Sequence, residues 1–159
     1  MSFQNSDTKT LLEIIKSRRD VRGNRFLSRE IEEEKLHLIL KSATMAPSVG
    51  YCQPWRFIVI KNQQIKNEIY NNFQSENQKA KEQFKDSKLY QNLKLEGIKE
   101  APINIAVLYE APKKTTLGMT SIEKSGEYSV VCAVQNMWLV ARSLNIGVGW
   151  VSILDEKRV

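Results

Sequence analysis

Three arginines fall within five residues, Arg18, Arg19 and Arg22, and a lone carboxylate, Asp20, sits among them. Guanidinium groups are planar forks of donors that pair with phosphate oxygens two bonds at a time, so the cluster suits a small-molecule phosphate. A plain basic turn at a helix end, where cations are favoured by the dipole, is the alternative. Asp20 is then either a salt-bridge partner or an acid/base group facing whatever the arginines hold. Its positive neighbours favour the ionised form, so a catalytic Asp20 would begin as a base. A second constellation follows in Ala46-Pro47-Ser48-Val49-Gly50. The Ser48 hydroxyl beside a flexible glycine can bring a side-chain donor and backbone N–H groups against a flat polar ligand. Gln53-Pro54-Trp55 offers an amide to a heterocycle edge and a tryptophan to anchor the chain; a simple helix-to-strand turn with a core tryptophan explains it equally well.

The elements that must carry these residues follow from periodicity. Leu11, Leu12, Ile14 and Ile15 predict a helix over 8–18, capped by Asp7, which delivers the arginine cluster at its C-terminal end. A second helix is expected to begin after Ser28 as its cap, with Glu30, Glu32 and Glu33 near the positive dipole end. Leu36, Ile39, Leu40 and Ala43 line one face of it, and it stops before Pro47. The β-branched run 57–60 reads as a strand covered on both faces. Ile65, Ile69 and Phe73 mark a third helix, and 75–95 reads as a peripheral helical stretch with a weaker stripe at Phe84, Leu89 and Leu93. A second buried strand is expected over 103–109, then a loop over 110–126 long enough to have a function or to move. Residues 128–144 read as a helix apolar almost all round, which must be buried on most sides. A third strand is expected over 147–153. Alternating strands and helices predict a layered α/β or α+β domain.

Composition bounds the remaining possibilities. The chain has 159 residues, 42% apolar and 26% charged, which fits one globular domain with its own core. Cys52 and Cys132 are far apart and form no CxxC pair, and the N-terminus has no secretory pattern, so a reducing cytoplasmic setting is expected. A single histidine, His37, and no clustered ligands argue against a metal site; His37 is expected on a helix surface. The net charge of +6 comes from scattered lysines interleaved with glutamates, as in Lys79-Ala80-Lys81-Glu82. That is a solvated face, with neither the basic stripe of a nucleic-acid binder nor an apolar run long enough for a membrane span.

Four segments occur in order: Ser17-Arg18-Arg19-Asp20-Val21-Arg22, Ala46-Pro47-Ser48-Val49-Gly50, Gln53-Pro54-Trp55, and Gly147-Val148-Gly149-Trp150-Val151-Ser152-Ile153. Together they resemble the nitroreductase-like flavoproteins, from about residue 10 to the end. The aspartate after the paired arginines and the final Gly-Trp-Val-Ser-Ile run are similar to the 5,6-dimethylbenzimidazole synthases of that family. The resemblance implies an α+β, nitroreductase-like α/β/α sandwich and a homodimer with FMN at a two-fold interface, for which helix 128–144 is the expected contact. It implies cofactor contacts at Arg18, Arg19, Asp20, Val21, Arg22, Ser48 and Ser152, with Gln53 and Leu95 as further ones. Asp20 and Ser152 are the implied catalytic pair.

The implied reaction consumes the flavin: reduced FMN and O2 yield 5,6-dimethylbenzimidazole, the lower ligand of cobalamin, and erythrose 4-phosphate. A flavin reductase or NAD(P)H would supply electrons, and residues 110–126 would act as a lid. Members of the family continue past this point with a further strand and an arm around the partner subunit, so the chain reads as a single domain shortened at its C-terminus. Two other functions remain open. One is an NAD(P)H-dependent nitroreductase that keeps FMN intact, although serine is commoner there at the position of Asp20. The other is an inactive flavin-binding module.

Overall fold

The computed structural model describes residues 2–88, 96–114 and 116–158. Among the described residues, helices α1 (Asn5–Ser17), α2 (Glu33–Thr44), α3 (Gln63–Gln83) and α4 (Ser125–Ser143) accompany strands β1 (Trp55–Ile60) and β2 (Asn104–Tyr109), which pair in a two-stranded sheet. By internal contacts the chain divides into two compact units. One holds residues 1–19, 31–58 and 106–148, the other 20–30, 59–105 and 149–159.

In the first unit α4 packs against α2 and α1. Leu36, Ile39 and Ala43 of α2 are buried, as the spacing predicts, and Ala133 and Ala141 of α4 are fully enclosed. Alanines at these points let helix backbones approach closely while Met137 and Trp138 fill the remaining space. Asn136 Nδ2 donates to the Ser42 carbonyl at 3.1 Å, adding a directional tie between α4 and α2. His37 is exposed on α2, as expected.

Several boundaries differ from the sequence reading. Asp7 lies in the first turn of α1, where its carboxylate accepts from the Gln4 N–H at 2.8 Å. Helix α2 starts at Glu33, not after Ser28; Glu32 occupies the cap and pairs with Lys35, leaving Glu33 and Glu34 in the first turn where the dipole favours them. The strand at 57–60 extends back to Trp55, and it is not covered on both faces, since Ile58 is 51% exposed. Helix α4 is likewise not enclosed all round: Tyr128, Val131 and Cys132 form an exposed stripe. Residues 89–95, which include the expected stripe positions Leu89 and Leu93, lie outside the described residues.

The second unit departs more. The apolar stripe read for α3 places Ile65 inward, yet Ile65 is 46% exposed and the adjacent Lys66 is buried. The reason is polar: Lys66 Nζ donates to the carbonyls of Ala101 and Pro102 at 2.6 and 3.0 Å. No strand forms over 147–153, where only residue 148 is bridged. Instead of entering a ladder, the Trp150 N–H is taken by a side chain, the Asp20 carboxylate.

Candidate functional site

The end of α1 positions Arg18 and Arg19. The Arg18 guanidinium lies 4.6 Å from the centre of the Trp138 ring, a cation–π contact that occupies the face of the fork and leaves its N–H edge directed elsewhere. Arg19 Nη1 donates to the carbonyls of Lys16 and Arg18 at 2.6 and 2.7 Å, closing backbone acceptors that a helix end leaves open. Helix α4 fixes this corner from its side. Trp138 Nε1 donates to the Arg19 carbonyl at 3.3 Å and Arg142 Nε to Ser17 Oγ at 3.0 Å.

In the same unit, Ser48 and Gln53 are brought together by a bond from the Gln53 N–H to Ser48 Oγ at 3.1 Å. The turn is pinned from α4, where Ser129 Oγ accepts from the Val49 N–H at 3.1 Å and donates to the Ser125 carbonyl at 2.8 Å. Its backbone is unusual: Gly50, Tyr51 and Gln53 all have positive φ, at 50°, 54° and 44°. Left-handed conformations at the two non-glycine residues cost roughly 1–3 kcal/mol each, a cost that surrounding contacts must hold in place. Part of that hold comes from the loop after β2. A Cβ at Gly50 would come within 2.7 Å of the Leu117 carbonyl, so glycine is what lets the loop lie on the turn.

The second unit holds Asp20, Arg22 and Ser152 around one cavity of about 330 Å³, lined by Asp20, Arg22, Phe73 and residues 150–153. Both carboxylate oxygens of Asp20 are engaged. Oδ1 accepts from the Trp150 N–H and Oδ2 from Arg22 Nη2, each at 2.9 Å. Gly149 makes this possible, because a Cβ there would lie 2.5 Å from the Val21 carbonyl. Val21 thus borders the run through its backbone. Leu95, the remaining expected contact, lies outside the described residues. Among the described residues, no group of three His, Cys, Asp or Glu side chains is placed to hold a metal ion, and no helix is long and apolar enough to cross a membrane.

Sequence reasoning missed Trp138, Ser129 and Asn72. Trp138 reads as one more apolar residue of α4, and its stacking partner is 120 positions earlier, so no local pattern marks it. Ser129 does carry a signal, a hydroxyl immediately before the apolar run 130–134 of α4. Such a residue needs a buried partner, and here it finds the turn.

The described donors suit the polar chain of a flavin nucleotide. The cavity lies at the lower end of the roughly 300–1,000 Å³ of small-molecule sites, and it combines a guanidinium fork, a carboxylate and a hydroxyl with the flat side chains of Phe73 and Trp150.

The chain is similar to the 5,6-dimethylbenzimidazole synthase of Rhodospirillum rubrum, 39% identical over 148 residues that cover 89% of this chain and 68% of that protein. It is similar to the protein of the same name from Rhodobacter capsulatus, 33% identical with 100% and 78% covered. A solved nitroreductase with bound FMN from Bacteroides fragilis NCTC 9343 superposes with a TM-score of 0.58 at 27% identity, over 90% of this chain and 70% of that one. The resemblance read from the four ordered motifs is borne out, as is the α+β nitroreductase fold. The Nitroreductase family pattern matches residues 15–159, and the chain belongs to that family.

Proposed function

We propose that this chain binds FMN and, with the reduced flavin as substrate and O2 as co-substrate, forms 5,6-dimethylbenzimidazole and erythrose 4-phosphate, the pyrimidine ring leaving as an oxidised third product and the base serving as a cobalamin lower ligand. One observation carries the reading: Asp20 is held between Arg22 and the Trp150 N–H at the edge of a cavity that Ser152 also lines. The 39% and 33% identical relatives named for this reaction support it. Bound reduced flavin supplies both the electrons and the carbon skeleton of the product.

The protein's part is positioning and proton movement. Arg22 would hold phosphate or ribityl oxygens through its planar fork, and Arg18 and Arg19 are assigned phosphate contacts on the family resemblance alone. Asp20, fixed at both oxygens, takes a proton from the ribityl chain and Ser152 relays one at the cavity wall. Ser48 and Gln53 are assigned to the ring system on the same resemblance. The loop after β2, resting on the Ser48 turn, excludes water there. The electrons that reduce the flavin beforehand come from NAD(P)H or a separate flavin reductase, and the exposed stripe of α4 is the homodimer contact.

Incubating the protein with FMN, a flavin reductant and air tests the proposal. Flavin consumption with dimethylbenzimidazole detected by mass spectrometry is expected. Intact flavin with reduction of a nitroaromatic would transfer the chain to the reductase branch, and absence of bound flavin would end both readings.

A further inference from the structure

Asn72 is a polar side chain to which the chemistry above assigns no role, and it is only 4% exposed on α3. A buried primary amide loses several hydrogen bonds to water, so its partners account for its position. Asn72 Nδ2 donates to the Asp155 carbonyl at 3.0 Å, and Asn72 Oδ1 accepts from the Asp155 N–H at 2.9 Å. The amide therefore grips both backbone polar groups of one residue, as a neighbouring strand would. Asp155 is also where the run changes direction: its carbonyl accepts from the Arg158 N–H at 3.0 Å and its carboxylate from the Lys157 N–H at 3.1 Å.

The run from Gly149 to Asp155 contains no helix or strand. At one end its backbone is held by Asp20 on the Trp150 N–H, and at the other by Asn72 on Asp155. Ser152 lies between these two restraints and lines the cavity. Phe73, the next residue after Asn72, lines the same cavity and is 5% exposed, so one turn of α3 supplies both a wall of the cavity and the second restraint.

We propose that Asn72 is a positioning residue for Ser152, setting the place of the serine hydroxyl by clamping Asp155. The proposal rests on the flavin-fragmenting reading given above. Asn72 touches no reacting atom in this scheme; it acts through the backbone of residues 150–155. Its absence leaves Asp20 and Arg22 in place, so flavin affinity is preserved while turnover falls.

The test compares the full chain with Asn72→Ala and Asn72→Asp by amide hydrogen exchange without flavin, by FMN titration and by dimethylbenzimidazole formation. In Asn72→Ala, exchange across 150–156 rises roughly tenfold or more, while peptides from α2 and α4 keep their parent protection. Turnover drops by a similar factor and FMN affinity stays within about threefold. Asn72→Asp keeps the acceptor for the Asp155 N–H and loses the donor, so it falls between the two. Unchanged exchange, or parent-like turnover despite faster exchange, overturns the proposal. A uniform rise in exchange through both helices with loss of FMN binding also overturns it, since that shows a general folding role. If the parent protein makes no dimethylbenzimidazole, the reaction assignment fails separately, and unchanged exchange at 150–156 in Asn72→Ala still defeats the clamp.

Discussion

A carboxylate with both oxygens engaged is geometrically defined, and that makes Asp20 testable residue by residue. Asp20→Asn preserves shape and an acceptor for the Trp150 N–H but removes the charge that pairs with Arg22. FMN binding is expected within a few-fold of the parent and product formation is expected to vanish; full product yield by mass spectrometry would remove Asp20 from the mechanism. Arg22→Ala removes a charge-assisted partner worth roughly 1.5–3 kcal/mol, so FMN affinity should weaken by about tenfold to a hundredfold. Fluorescence titration of the flavin checks this, and an unchanged dissociation constant would exclude Arg22 as a phosphate contact. The arginine cluster itself was visible in the sequence, but its division of labour was not. One guanidinium stacks on an aromatic ring, one closes carbonyls at a helix end and one meets the carboxylate. Those assignments depend on partners distant in sequence, which local spacing cannot supply.

At the level of elements, α3 shows why periodicity succeeds in one place and fails in another. The α2 stripe Leu36, Ile39 and Ala43 was legible because apolar burial dominates that face, and the buried Ser42 hydroxyl donates to the Ile39 carbonyl within the helix. On α3 the inward face is decided by two polar groups seeking backbone partners, and a hydrophobicity pattern assigns them to solvent. The third strand failed for a related reason. A β-branched run favours an extended backbone, but a strand also needs a ladder partner, and side chains took that place over 150–155. Lys66→Met should destabilise the protein by about 1–3 kcal/mol, because the carbonyls of Ala101 and Pro102 lose their donor. Burial also lowers the Lys66 pKa below its ordinary 10.5. Between the lowered value and 10.5 the unfolded chain binds the proton more strongly, so the Lys66 contribution to stability grows as pH rises through that window. Urea unfolding at neutral and alkaline pH should show this upward slope in the parent and its loss in Lys66→Met; equal slopes would refute a desolvated ammonium.

For the whole molecule, the net charge of +6 favours an anionic ligand such as the proposed nucleotide. Assembly is the larger question. The stripe of Tyr128, Val131 and Cys132 is apolar and exposed, and as the proposed contact between copies it should not tolerate charge. The parent is expected to sediment as a dimer and Val131→Glu as a monomer; identical sedimentation of the two would move the contact elsewhere. Lys66 and Asn72 have one more consequence, for the second unit alone. Oily surfaces can slide past each other at little expense, whereas this ammonium and this amide must meet particular backbone groups. A shift of α3 by a single turn would strand both at once, so this helix is keyed to one alignment, and sequence drift there should spare those two side chains before it spares the greasier ones around them.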